Sequence, residues 1–430
     1  MTKLLGSGSY GCVINKSITK KPYISNYVAD VTHKEFILNE KKNKHISKIF
    51  ANKEDYCEEL VIITKILHTY HKIFNSITLF KELSTPPKRF SSYSLVNLNT
   101  NQYNEKKDIV LNKLKFFFNE NHKKDIDIKK GSIANCLIDK FNFDYHINNV
   151  EIFEIVYNYD GIALDKIEIN DTEFIKSFII LCKSLETFHQ LKFVHRDIKP
   201  ENILYNSENN KLSLIDFGLS IPSNVVYSDK EEWFIRSSYY ISPPEFGIIN
   251  TNKYGNIDNL RLLFKHNELF DSIIQEIIKD YDDFFDKYKN IDNINDIPEN
   301  IKQDAYKGDI YSLGITLLIL CIANNIKITH PDKELIKNKI FKIIKNMMKT
   351  NPLERYNLHN VVNDFLELQS NYISDTDKDT DVLTNISCDQ DIETITKSLS
   401  NLNIKGGKNK IKKKPPKKIK KPIKKNYLHL

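Results

Sequence analysis

His195-Arg196-Asp197-Ile198-Lys199-Pro200-Glu201-Asn202 is the stretch on which the reading of this chain turns. It follows Glu173 to His189, where Phe174, Phe178, Leu181, Leu185 and Phe188 recur at helical spacing. It precedes Ile203–Tyr205 and Leu212–Ile215, two short strand-like runs about the turn Asn206–Asn210. A helix therefore delivers the loop and a hairpin carries the chain away. Within the loop, Asp197 is a proton acceptor, Lys199 a mobile cation and Asn202 a neutral oxygen ligand for a hard cation. Standing alone, such a charged loop could be a solvated turn; what lies downstream argues otherwise.

Asp216-Phe217-Gly218 ends the second strand-like run, fourteen residues after Asn202. A carboxylate at a strand end is a natural magnesium ligand, since that ion keeps one or two carboxylates plus phosphates. Near the start of the chain, Gly6-Ser7-Gly8-Ser9-Tyr10-Gly11-Cys12-Val13 fits G-x-G-x-x-G-x-V. Glycines let the backbone approach a phosphate without a Cβ in the way, and backbone N–H groups can face the anion. That segment alone could equally be a flexible Gly/Ser-rich terminus. No long helix follows it directly, which disfavours a dinucleotide fold. A base, a cation, two magnesium ligands and a phosphate loop are the parts phosphoryl transfer needs, because that reaction asks mainly for positioning and charge compensation.

These motifs, in this order, resemble the eukaryotic protein kinase superfamily. The set continues with Ser242-Pro243-Pro244-Glu245, with Asp309 and Gly314, and with Arg355 in Asn351-Pro352-Leu353-Glu354-Arg355. The resemblance covers roughly residues 1–368, apart from two insertions. It implies an α+β, two-lobed protein-kinase-like fold, with a small β-rich N-lobe and a larger helical C-lobe. It implies ATP and Mg2+ as cofactors and protein hydroxyls as acceptors. Asp197 would be the base, Lys199 would neutralise the migrating group, and Asn202 and Asp216 would hold magnesium. Gly6, Ser7, Gly8, Gly11 and Val13 would cover the nucleotide. Glu245 and Arg355 would form a buried ion pair, Asp309 would bond the backbone of the catalytic loop, and Phe217 would pack under the helix near Glu59. Ser238 falls where the family commonly has a threonine near the catalytic Asp and Lys. Lys199-Pro200-Glu201 resembles the serine/threonine rather than the tyrosine kinases. Arg196 before Asp197 implies control by phosphorylation of the activation segment, at Tyr227, Ser228 or Ser237.

The family also places a strand lysine on the α/β-phosphates, paired to a helix glutamate, but V-A-I-K is missing here. Lys48 in His45-Ile46-Ser47-Lys48-Ile49-Phe50 is the choice, mid-strand and just before a candidate helix, with Lys34 and Lys44 as weaker alternatives. Glu59 is preferred to Glu58 as its partner on a helix over Glu58–Leu67. Glu151–Tyr157 reads as a buried strand, and Ile155 to Leu164 resembles the lobe hinge, where backbone groups near Tyr157 and Tyr159 would meet adenine.

The expected organisation is an N-lobe over 1–156 with an insertion at about 68–133, and a C-lobe over 157–368 with an insertion at about 247–305. An acidic disordered linker over 369–404 and a lysine-rich tail over 405–430 follow. The tail is broken by Gly406-Gly407, Pro415-Pro416 and Pro422, which argues against a helix. It is a solvated tail, a nucleic-acid or nuclear-import segment, or a contact for an acidic surface.

The 430-residue chain carries a formal charge of +7. Its basic residues are lysine except for Arg89, Arg196, Arg236, Arg261 and Arg355. Where lysine is so favoured, a retained arginine points to a need for the bidentate guanidinium fork. The six cysteines form no C-x-x-C pair, so the expectation is reduced, mostly buried thiols, with neither a disulfide framework nor a zinc site. The N-terminus lacks an apolar signal region, and Tyr311–Ala323 is too short to span a bilayer, so an intracellular, soluble protein is expected. The Lys/Asn/Ile-rich composition and the short N-terminus are similar to kinases of large nucleocytoplasmic DNA viruses, with an AT-rich protist as the alternative source. A viral source would place the protein in host cytoplasm or virion, and the tail could direct it to the nucleus. The rival readings are a scaffolding pseudokinase, a nucleic-acid-binding protein with a secondary kinase domain, and a kinase of small molecules or lipids.

Overall fold

A computed structural model describes residues 4–7, 11–14, 45–74, 87–98, 102–118, 133–141, 149–158, 161–228, 236–237, 239–249, 255–263, 268–291, 293–302 and 304–372. Gly8, Lys34, Lys44, Tyr159, Ser238 and everything after Tyr372, including the lysine-rich tail, lie outside the described residues.

Five strands form one sheet. They are β1 (Leu4–Ser7), β2 (Cys12–Ile14), β3 (His45–Phe50), β4 (Pro87–Asn97) and β5 (Asn149–Asn158), in the spatial order β1-β2-β3-β5-β4 with antiparallel pairing throughout. The register places Val13 opposite Lys48, and Lys48 opposite Ile155. Gly11 sits where β2 presses on β3: a Cβ there would lie 2.8 Å from the Ile49 carbonyl oxygen, so no larger residue fits without moving the strand.

Because side chains alternate across a strand, the sheet presents two faces. On one, Phe50, Phe153 and Ile155 pack with Ile63 of helix α1 (Lys53–Phe74). The helix begins where Asn52 Oδ1 accepts the Glu54 N–H at 2.8 Å, and Glu54 and Asp55 place negative charge on its first turn. On the other face, Cys12, Ile14, Ile49 and Ile152 pack with Val110 and Leu114 of α2 (Tyr103–Phe117) and with Ala134 and Leu137 of α3 (Ile133–Ile138). The expected insertion at 68–133 is thereby corrected. Residues 87–97 are an integral sheet strand, and α1 runs on to Phe74; among the described residues, the segment carrying α2 and α3 is laid over the outer face.

The expectation of free thiols throughout is also corrected: Cys12 and Cys136 are disulfide-bonded, joining β2 to α3. Their separation of 124 residues gives no local spacing signal; the fold alone brings the Cα atoms to 6.2 Å, within reach of the bond.

The second region is mainly helical. Helix α4 (Asp171–Gln190) buries Phe174, Phe178, Leu181, Leu185 and Phe188, as their spacing implies. Its N-cap is Asn170, whose Oδ1 accepts the Glu173 N–H at 2.8 Å. Burying each large apolar side chain contributes about 1.5–3 kcal/mol and a cap about 1, so packing rather than capping holds the helix. After it come the strands β6 (Phe193–Val194), β7 (Ile203–Asn206) and β8 (Lys211–Leu214), the last two an antiparallel hairpin. Residues 247–305, expected as a second insertion, hold the helices α5 (Gly255–Leu263) and α6 (Glu268–Lys287). Ile273, Ile277, Tyr281, Phe284 and Phe285 of α6 join the main core rather than standing apart from it. Helix α7 (Tyr306–Ile322) is buried on nearly all sides, and α8 (Lys333–Met347) and α9 (Leu358–Tyr372) complete the packing. Among the described residues no helix is long and apolar enough to cross a membrane. The architecture is α+β, as expected.

Candidate active site

Lys48 and Glu59 meet between the sheet and α1. The Lys48 ammonium donates to Glu59 Oε2 at 2.6 Å and to Asp216 Oδ1 at 2.8 Å. Lys48 and Glu59 are both buried, at 7% and 2% exposure, so neither is a solvated surface charge. Burial alone would lower the Lys48 pKa, but the Asp216 and Glu59 carboxylates outweigh it and raise the value, so the side chain is a cation. Burial would likewise raise the Asp216 carboxyl, yet the Lys48 charge and hydrogen bond hold it below its ordinary value. The described geometry thus joins Lys48 to Glu59 of the two candidate glutamates. It also shows a contact that spacing could not, the tie from Lys48 to Asp216 across 168 residues.

The loop after α4 is shaped by a third carboxylate. Asp309, 1% exposed on the first turn of α7, accepts the backbone N–H groups of His195 at 2.7 Å and Arg196 at 2.8 Å, and contacts His189 Nε2 at 2.9 Å. Arg196 sits at φ +69°, a left-handed conformation that costs a non-glycine residue about 1 kcal/mol or more. The two bonds to Asp309 fix that turn. Asp216 is also left-handed, at φ +61°, a conformation Asp tolerates better than most residues. Phe217 packs against Phe188 and His195, with ring centroids 5.4 and 5.0 Å away, and closes the floor under the loop.

Asp197 is then held from several sides. Asn202 Nδ2 donates to its Oδ2 at 2.7 Å and to its backbone oxygen at 2.8 Å, and Lys199 Nζ lies 2.9 Å from Oδ2. Because Asn202 uses its amide nitrogen in this way, its oxygen is the end left to meet a cation. Asn202 and an ionised Asp216 make a neutral and a charged oxygen donor, a set suited to magnesium.

Tyr239 was not anticipated. Its hydroxyl donates to Asp197 Oδ1 at 2.9 Å and receives a hydrogen bond from Lys199 at 3.0 Å. The expectation had fallen on Ser238, its neighbour, and only the adjacency of the two residues could have pointed there. Arg236 donates to the Arg196 carbonyl at 2.9 Å. Of the three expected modification sites, Ser228 is exposed, Tyr227 half-buried and Ser237 buried.

Glu245 and Arg355 form a bidentate ion pair, with Nη2 to Oε2 at 2.8 Å and Nη1 to Oε1 at 3.1 Å, both side chains wholly buried. The planar guanidinium fork matches the two carboxylate oxygens in parallel, which a lysine ammonium does not.

Tyr157 stands near the end of the strand read over Glu151–Tyr157. It lies within β5, opposite Ile46 of β3 and Pro87 of β4, so its backbone belongs to the sheet interior. Its phenol reaches Glu59 Oε1 at 3.0 Å. Strand β5 ends at Asn158, and Gly161 stands at φ +125°, where a Cβ would collide with the Tyr205 carbonyl at 2.2 Å. At the other rim of the sheet, Gly6 in β1 pairs with Val13 in β2.

The family described as "Protein kinase domain" matches residues 145–258, the segment holding Asp197, Lys199, Asn202 and Asp216. The chain is 24% identical over 394 residues to serine/threonine-protein kinase SKS1 of Saccharomyces cerevisiae, across 86% of this chain and 65% of that protein. It is 39% identical over 71 residues to the probable serine/threonine-protein kinase fnkB of Dictyostelium discoideum, across 16% of this chain and 13% of that one. A third likeness, 39% over 83 residues, is to serine/threonine-protein kinase VHS1 of the same yeast, across 19% and 17%. The chain therefore spans just under two thirds of the first relative and much smaller shares of the others. In its α+β fold, and in the segment that carries Asp197 and Asp216, the chain is similar to the eukaryotic-type protein kinase domain.

Proposed function

We propose that this chain is a protein serine/threonine kinase, transferring the γ-phosphoryl group of ATP to protein hydroxyls. The observation that carries the proposal is the pairing of two sets: Lys48 bridging Glu59 and Asp216, and Asp197 held by Asn202 and Lys199. Asp197 accepts the proton of the attacking hydroxyl and orients its oxygen. Lys199 balances charge on the group in flight, and Lys48, released from Asp216, meets the nucleotide phosphates. Asn202 and Asp216 would hold magnesium, which supplies charge neutralisation on the phosphates when bound. Gly6, Ser7, Gly8, Gly11 and Val13 would lie over the nucleotide. Lys199-Pro200-Glu201, and the names of the relatives, favour Ser/Thr over Tyr as acceptor.

Protein substrates follow from this reading. The lysine-rich run over 405–430 supports a contact with nucleic acid or another acidic surface, or nuclear import. The Lys/Asn/Ile composition supports a large DNA virus as source.

The test is transfer of labelled γ-phosphate to a general Ser/Thr substrate with magnesium, comparing wild type with Asp197→Ala. Transfer by wild type and a fall of about 10²–10⁴-fold in the variant is expected. Nucleotide binding without transfer by either protein would favour the scaffolding pseudokinase instead.

A further inference from the structure

Glu59 has two carboxylate oxygens and two different donors. Oε2 receives Lys48 Nζ at 2.6 Å, and Oε1 receives the Tyr157 hydroxyl at 3.0 Å. We propose that Tyr157 is a positioning residue: its phenol holds Glu59 in the orientation that keeps Lys48 on the nucleotide side of the sheet. This rests on the kinase reading of the site.

Around Lys48 there is one ammonium for two carboxylates, Glu59 and Asp216. In a buried place a carboxylate left short of donors is costly. Glu59 in particular is 2% exposed, and burial together with the Asp216 charge pushes its carboxyl upward. A neutral donor relieves that shortage without adding a second cation. Tyr157 can only be the donor here, since an ionised carboxylate accepts and does not donate. Burial and the neighbouring Glu59 raise the phenol's pKa further, so it keeps its proton.

The backbone explains why the contact is held. Tyr157 and Ile155 lie on the same face of β5 by the two-residue period, and Ile155 is opposite Lys48. Tyr157 is opposite Ile46, which shares its face of β3 with Lys48. Donors from two adjacent, hydrogen-bonded strands therefore converge on one carboxylate from α1. When Lys48 leaves Asp216 for phosphate, the Tyr157 bond is what continues to hold Glu59 on the side of Lys48. Remove it, and among the described residues Glu59 keeps the Lys48 ammonium as its donor, which is itself drawn to Asp216.

The experiment compares wild type, Tyr157→Phe, Glu59→Gln and the double variant. Tyr157→Phe is expected to lower kcat about ten-fold, the effect of losing one hydrogen bond to a charged group, with a smaller change in KM for ATP. In the Glu59→Gln background the same substitution should cost little more, because its action runs through Glu59. Tyr157→His, which keeps a ring donor, should recover part of the loss.

A second readout needs no activity. The phenol bonds the ionised form of Glu59, so the thermal midpoints of Tyr157→Phe and wild type should differ at neutral pH. They should converge as pH falls through the Glu59 pKa. A Tyr157→Phe protein with wild-type kcat and a parallel pH–stability curve overturns the proposal, as does full additivity with Glu59→Gln. An inactive wild type counts against the kinase reading, and the pH–stability comparison then still decides the role of Tyr157.

Discussion

The Asp309 carboxylate accepts the backbone N–H of Arg196 at 2.8 Å, from a helix that begins more than a hundred residues after the loop it holds. Together with the bond to the His195 N–H at 2.7 Å, it fixes a left-handed turn immediately before Asp197. Asp309→Ala should therefore damage catalysis without touching the nucleotide. Each hydrogen bond to a charged group contributes about 1.5–3 kcal/mol, so a fall of at least about 100-fold in kcat is expected. Steady-state kinetics beside ATP affinity checks this; an equal loss in both would place Asp309 elsewhere in the mechanism.

Glu245 and Arg355 should govern stability. Both are fully buried and bond bidentately, so removing one partner strands the other charge. Arg355→Ala is expected to destabilise the protein by about 3–5 kcal/mol, read from denaturant unfolding. Arg355→Lys should recover only part, because an ammonium lacks the planar fork and cannot also reach the Lys349, Lys307 and Thr350 carbonyls that the guanidinium bonds.

His195 gives a pH dependence with a definite sign. The Asp197 N–H approaches its Nδ1 at 3.3 Å and the Ile215 carbonyl faces its Nε2 at 3.1 Å, a pattern satisfied by the neutral ring with its proton on Nε2. Burial lowers its pKa below the ordinary 6.5, against the pull of Asp309, Asp197 and Asp216. The unfolded chain takes up a proton near 6.5 while the folded ring resists, so the neutral ring's stability is complete above 6.5. It is lost as pH falls from there through the folded pKa. The slope contributed cannot exceed about 1.4 kcal/mol per pH unit. Thermal midpoints between pH 7 and 5 should show it in wild type and lack it in His195→Asn.

The Cys12–Cys136 bond should make the protein sensitive to reductant. Cross-links closing loops of about a hundred residues stabilise by up to about 4–5 kcal/mol in the chain-entropy account. Dithiothreitol is expected to lower the thermal midpoint of wild type and to leave Cys136→Ser unchanged. Equal midpoints with and without reductant in wild type would show that the bond adds nothing to stability.

What the sequence disclosed and what it hid divide along physical lines. Helix α4 was legible because Phe174, Phe178, Leu181, Leu185 and Phe188 share one face and all are buried there. The hairpin of β7 and β8 was legible because its turn is rich in Asn between short apolar runs. The grouping of Asp197, Lys199 and Asn202 needed only local spacing. Lys48 and Glu59, eleven residues apart, could be narrowed down from a strand followed by a helix. Strand β4 was missed because it lies in a polar, serine-rich stretch, and its place is set by pairing with β5 some sixty residues later. Cys12 with Cys136, and Tyr157 with Glu59, are contacts made by tertiary packing, and no local pattern encodes them.

The disulfide also divides the molecule topologically. Cys12 and Cys136 close a covalent ring that contains Lys48 and Glu59, while Asp197, Asn202 and Asp216 lie on the open chain beyond it. A single backbone cut inside the ring leaves one molecule, and a gel run without reductant would show an unchanged band. The lysine and its glutamate would stay tethered to each other through such a nick, and only reduction would let the pieces part.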